Sequence, residues 1–164
     1  MKNIVRTGMP SVGKSTIGVL LAKTLVSSFV DTDILIQEKY KKSLCDIIKD
    51  EGTEAFLNIE EATISEYDFK NCVIATGGSA VFGEKAMKKL GENGTIVYLY
   101  LPPDEIKKRI GDIKSRGVVL TNGETIDDIY NDRKALYEKY ADFTVDCSGL
   151  TVEKCIEEIL SKIL

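Results

Sequence analysis

The chain of 164 residues contains no histidine. Ser-His-Asp and Cys-His nucleophilic machinery is therefore excluded, and any general base must be a carboxylate, a lysine or a tyrosine. Cysteine is sparse. Cys45, Cys72, Cys147 and Cys155 form no C-x-x-C pair, and without histidine partners they argue against zinc as well as against a disulfide scaffold. No apolar run approaches the roughly 20 residues of a membrane span, and the opening MKNIVRTG reads as a polar-flanked strand rather than a signal peptide. A cytoplasmic protein with no membrane partner is expected. A basic block is also missing: the net charge of −4 is spread over alternating acidic and basic stretches, so nucleic acid is not an expected partner.

What is present suits one globular domain over 1–164. With 43% hydrophobic and 29% charged residues, the chain can bury one sizeable core and is too short for two ordinary domains. β-rich runs alternate with helical patterns. NIVRT precedes KSTIGVLLAKTLV, and FVDTD precedes three helical stretches reaching about Phe69; CVIATGG is followed by EKAMKKL, and TIVYLYL by DEIKKRI. TIDDIYNDRKALYEKY, DFTVD and VEKCIEEILSKIL complete the order. Five strands separated by helices predict an α/β fold with a parallel sheet covered on both faces. Val19, Leu20, Ala22 and Leu25 form the helical stripe expected to face that sheet. Residues 34–69 interrupt the alternation with helices only and predict a helical flap. Residues 112–124, with Gly117 and Gly123 and no clear periodicity, predict a lid. Each of these two segments is alternatively an ordinary surface insertion.

Residues 8–15, GMPSVGKS, fit G-x-x-x-x-G-K-[ST], and the stretch follows a strand and opens an amphipathic helix, the context this phosphate-binding loop requires. Gly8 and Gly13 let the backbone curl so that successive N–H groups point at phosphate oxygens, aided by the positive end of the helix. Lys14 is placed for the β- and γ-phosphates and Ser15 for Mg²⁺. Nucleotide contacts are expected from Gly8, Ser11, Val12, Gly13, Lys14, Ser15 and Thr16. No N-K-x-D guanine reader occurs, and neither CVIATGG nor TIVYLYLPP ends in the Asp-Glu pair of a motor ATPase. The strand that does end in carboxylates is FVDTD. Asp31 and Asp33 lie where α/β sheets bind ligands, so that one can hold the water shell of Mg²⁺ while the other accepts the proton of an attacking hydroxyl. A helix cap by Asp33 is the competing reading.

GMPSVGKST, FVDTD, ATGGSA, the spaced arginines of KKRIGDIKSRG, and DRKALYEKYAD occur in that order, and the chain resembles the shikimate kinases over nearly its whole length. The resemblance implies a P-loop fold of nucleoside-monophosphate-kinase type with a five-stranded parallel sheet. It also implies a substrate-binding flap at 34–69, a lid at 112–124, and transfer of the γ-phosphate of ATP to the 3-hydroxyl of shikimate. It makes Lys14 and Ser15 the phosphate and Mg²⁺ contacts and Asp31 an outer-shell metal ligand. Asp33 becomes the base and a ligand of the acceptor's hydroxyls, with Gly77, Gly78 and Ser79 lining the acceptor pocket. Arg109 would pack on the adenine, Arg116 would close with the lid onto the transferring phosphoryl group, and Arg133 would pair with the acceptor's carboxylate. Taken singly, each arginine reads equally as a surface charge. A monomer is expected.

The chain departs from that family mainly on the acceptor side. Where shikimate kinases show F-R-x-x-E the stretch is FLNIE, with Leu57 in the place of a carboxylate-clamping arginine and Glu60 kept. Their triple glycine is Gly77, Gly78, Ser79, their lid Arg-Pro is Arg116-Gly117, and Ser11 replaces a glycine of the phosphate loop. Losing one charge-assisted hydrogen bond costs about 1.5–3 kcal/mol. Arg6 adds a cation in the first strand, where both faces are expected to be buried, and with the flap lysines it is a candidate to replace the missing arginine. Three readings remain: a shikimate kinase, a divergent relative acting on another small polyol or hydroxy acid, and a nucleotide-binding module without transfer.

Overall fold

The computed structural model describes residues 2–110 and 124–164. Five parallel strands form one sheet in the order β2-β3-β1-β4-β5: β1 Asn3–Thr7, β2 Ser28–Asp31, β3 Cys72–Ala75, β4 Gly94–Tyr100 and β5 Phe143–Asp146. The central β1 and its neighbour β3 are buried at every position, as strands covered on both faces must be. β1 leads out to β2 on one side, whereas β3 crosses over to β4 on the other. The carboxyl ends of β1 and β3 therefore flank the crevice where such sheets bind ligands.

Helix α1, Lys14–Thr24, follows β1. Its buried face is Lys14, Ile17, Gly18, Leu21 and Ala22, with Leu25 packing on the same core, whereas Val19 and Leu20 are 49% and 38% exposed. The expected stripe is thus right for Ala22 and Leu25 and wrong for Val19 and Leu20. The phosphate loop pins Lys14 inward, and at 100° per residue the inward face then runs through 14, 18, 21 and 25.

Three consecutive helices fill the predicted flap: α2 Thr32–Tyr40, α3 Leu44–Glu51 and α4 Thr53–Glu66. Ser43 caps α3 by accepting from Asp46 N–H. The three helices share a small core of Ile36, Leu44, Ile47 and Phe56, and Leu57 packs against it. After β3 a single 3₁₀ turn, Ala80–Phe82, leads into α5 Glu84–Glu92. α6 Pro103–Arg109 follows β4. α7 Ile126–Tyr140 begins at a capping box in which Thr125 and Asp128 satisfy each other's backbone N–H groups. α8 Val152–Ile163 is last.

Arg6 is fully buried in β1 and does not reach the acceptor cleft described below, so it does not replace the missing arginine. Its guanidinium lies against α1 where Gly18 lacks a side chain; a Cβ there would overlap both terminal nitrogens. The Phe29 ring centroid is 5.7 Å away, and none of the three nitrogens has a hydrogen-bond partner among the described residues. Burial pulls the group down to about 9 against the attraction of Asp31. A buried cation without hydrogen bonds opposes folding, and replacing such groups by apolar ones of similar volume is neutral or stabilising by about 1–4 kcal/mol. Arg6→Met is therefore expected to raise the urea midpoint at unchanged slope, and Gly18→Ala to lower it, both read by equilibrium denaturation.

Candidate active site

The loop between β1 and α1 takes its shape from three residues with positive φ, Gly8 at 148°, Ser11 at 64° and Gly13 at 97°. At Gly8 a Cβ would stand 2.6 Å from the Leu99 carbonyl oxygen, so only glycine fits. Ser11 does occupy the left-handed region, at the small cost expected for a non-glycine residue there. Gly13 is the N-cap of α1, which starts at Lys14 as the sequence predicts. The buried Lys14 folds back under the loop and its Nζ donates to the carbonyls of Gly8 and Met9, both at 2.8 Å. Burial brings its ammonium down to about 8, with Asp33 pulling the other way.

Asp31 ends β2 and caps α2. Its Oδ1 accepts from Asp33 N–H at 2.9 Å, while Oδ2 accepts from the Ser15 hydroxyl at 2.7 Å. The cap is thus Asp31 and not Asp33, which leaves the Asp33 side chain free of that duty. Asp33 lies in the first turn of α2, and burial, then the neighbouring Asp31, raise it to about 6 against the pull of Lys14.

A cleft of about 220 Å³ joins these groups to the residues expected from the sequence on the acceptor side. Ser11, Gly13, Lys14, Ser15 and Thr16 line it together with Asp33, Gly77, Gly78, Ser79 and Arg133, and Leu44 of α3 and Phe56 of α4 complete the lining. Arg133 comes in from α7 with 3% of its surface exposed, 5.4 Å from the Phe82 ring and against the Gly78 backbone. Two further contributors were not singled out as site residues in the sequence. Tyr137, one turn beyond Arg133, donates to the Gly78 carbonyl at 2.6 Å and so fixes the glycine loop. Glu60 accepts from the Ser79 hydroxyl at 2.7 Å, and burial followed by Asp33 pushes its carboxyl up to about 7. The signal for Tyr137 was its i,i+4 spacing from Arg133; the Ser79–Glu60 pair spans 19 residues and left no local pattern.

Arg109 lies elsewhere, at the end of α6, where it lines a second cleft of about 240 Å³ with Val12, Gly13, Thr16, Cys147 and Leu150. Gly13 and Thr16 border both clefts. No flap lysine lines the first cleft; Lys39 and Lys42 pair with Glu66 and Asp50 on the surface. Leu57 sits in the small flap core. Arg116, and with it the predicted lid up to residue 123, lies outside the described residues.

A family model described as "Shikimate kinase" matches residues 10–164. The shikimate kinase of Caldanaerobacter subterraneus subsp. tengcongensis is 35% identical over 98% of this chain and 95% of its own length. That of Bacillus mycoides is 36% identical over 99% of both. Among solved structures, the shikimate kinase of Acinetobacter baumannii in complex with shikimate superposes with a TM-score of 0.92 at 28% identity, over 99% of this chain and 93% of that one. A likeness that runs over nearly the whole chain, in sequence and in structure alike, places this chain in the shikimate kinase family.

Proposed function

We propose that this member of a family of alcohol-directed phosphotransferases carries the γ-phosphate of ATP to the 3-hydroxyl of shikimate. The observation that carries the reading is a single cleft lined by the phosphate loop and by Asp33, Gly77, Gly78 and Arg133 together. Donor and acceptor brought into one cleft can meet in line, and for phosphoryl transfer positioning and charge stabilisation supply most of the catalysis.

Each residue then has a task. The loop backbone from Gly8 to Ser15, with Thr16, cradles phosphate oxygens, and Lys14 supplies positive charge. Asp33 orients the acceptor's hydroxyls and takes the proton of the attacking one. Arg133 pairs with the acceptor's carboxylate, Gly77 and Gly78 let the ligand approach backbone, and α2 to α4 serve as the acceptor-binding flap. Arg109 and Val12, which line the second cleft together, pack on the adenine, and Arg116 acts from a lid at 112–124. Ser15 and Asp31, whose oxygens already meet at 2.7 Å, form the all-oxygen set that suits Mg²⁺, Ser15 as direct ligand and Asp31 through water. Bound there, Mg²⁺ neutralises charge on the β- and γ-phosphate oxygens. A monomer in the cytoplasm suffices for all of this.

Leu57 favours one second reading, a relative whose acceptor is another small polyol or hydroxy acid. Arg133 is the one arginine lining the cleft among the described residues, and a carboxylate held by one clamp in place of two is bound more weakly. The two readings separate in an assay of ADP release by the purified protein with Mg²⁺-ATP, with shikimate and with a panel of hydroxy acids and sugars. Stimulation by shikimate above the ATP-only background is expected; stimulation only by another acceptor overturns the first reading in favour of the second.

Asp33→Asn is expected to lower kcat at least about a hundredfold while nucleotide affinity stays near wild type, and unchanged turnover would remove Asp33 as base. At Gly77 a Cβ would stand 2.6 Å from Glu60 Oε2 and 2.7 Å from Asp33 Oδ1. Gly77→Ala should therefore raise the acceptor KM without affecting that for ATP. The pH dependence of kcat/KM is expected to be bell-shaped. Activity rises as Asp33 loses its proton through about pH 6 and falls as Lys14 loses its charge above about pH 8.

A further inference from the structure

The transfer reading leaves the buried charge of Arg6 without a task. In the sheet register Arg6 of β1, Ala75 of β3 and Asp31 of β2 stand side by side. The two charged residues are thus separated by one small side chain and two strand spacings, roughly 10 Å between α-carbons. They share a face of the sheet. The Arg6 guanidinium lies against Gly18 of α1, and Asp31 meets the same helix through the bond from Ser15. The Arg6 side chain leans across β3 toward β2, since its guanidinium carbon is 5.7 Å from the ring centroid of Phe29, which precedes Asp31 by two residues and so lies on the same face.

A positive charge therefore sits under the start of α1. Gly18 follows Lys14 by one turn on the buried face of that helix. Asp31 attracts the Arg6 charge and Lys14 is repelled by it, so its field reaches both the metal side and the phosphate side of the site as read above. None of the three guanidinium nitrogens has a hydrogen-bond partner among the described residues. A guanidinium closed in a bidentate carboxylate pair is nearly neutral when seen from outside, whereas this one is not, and a buried charge is screened little by salt.

We propose that Arg6 is a positioning residue on the donor side, a buried counter-charge to Asp31 that disfavours a divalent cation on the bare Ser15–Asp31 pair and favours the phosphates of a nucleotide. Without nucleotide, Asp31 already has a positive neighbour and gains less from a second one. Nucleotide phosphates bring the negative charge that outweighs Arg6, so metal and nucleotide enter together. The proposal rests on the reading of Ser15 and Asp31 as the Mg²⁺ side of the cleft.

The test measures binding and not turnover, on wild type, Arg6→Met, Arg6→Lys and Asp31→Asn. Mn²⁺ is titrated into nucleotide-free protein and followed by electron paramagnetic resonance, and ADP is titrated calorimetrically in the presence of EDTA. Arg6→Met is expected to bind Mn²⁺ roughly tenfold more tightly than wild type and metal-free ADP severalfold more weakly, the sizes that one unit charge gives at about 10 Å. Arg6→Lys, which keeps the charge, should lie near wild type in both titrations. The opposed signs are what a merely structural role would not give, since a loosened fold weakens both ligands and a tightened one weakens neither. Two affinities that move in the same direction, either one unmoved or undetectable in Arg6→Met, or an Arg6→Lys that behaves like Arg6→Met, overturn the proposal while leaving the metal site in place. Asp31→Asn should weaken Mn²⁺; an Mn²⁺ affinity indifferent to it overturns the reading of the metal site, and this proposal with it.

Discussion

The carboxylate of Asp31 joins the first turns of two helices, α1 and α2. One oxygen accepts from Ser15 in the first turn of α1, and the other caps α2 through Asp33 N–H. The first turn of the phosphate-loop helix is thereby tied to the first turn of the flap. Asp33, whose N–H makes that cap, is held in the first turn of α2 and lines the cleft. The strand order makes the arrangement available, because β2 and β3 deliver Asp31 and the Gly77-Gly78 loop to the same carboxyl edge as β1 delivers the phosphate loop.

Desolvation sets the charge balance of the cleft. Burial lifts Asp33 and Glu60 and lowers Lys14, each toward its neutral form, and the attraction between Lys14 and Asp33 only partly offsets this. A site built in this way holds its own charges reluctantly. A polyanionic donor and a hydroxylated acceptor supply the partners that the protein interior withholds, which is a physical route from burial to binding.

The sheet and its helices were legible in the sequence because the strands are short β-rich runs bounded by turn residues, and helices such as α3 and α7 carry their own side-chain caps. The phosphate loop was legible for the same reason, being local from Gly8 to Ser15. The helix face was not: Val19 and Leu20 look like core residues, yet Lys14 held under the loop rotates them outward. Arg6 likewise offered no sign of its direction. Only the packing of β1 under α1 shows it filling the space left by Gly18 and pointing away from the acceptor cleft.

By itself the sequence determined the alternation of strands and helices, the phosphate loop, the absence of any histidine base and the resemblance to a kinase family. All of these are short-range patterns or totals. The tertiary structure alone decided that Asp31 is the cap and that Tyr137 braces Gly78. It also decided that Ser79 donates to Glu60. Those contacts join residues on different elements, and hydrogen bonds between side chains brought together by packing leave no periodicity in the chain that makes them.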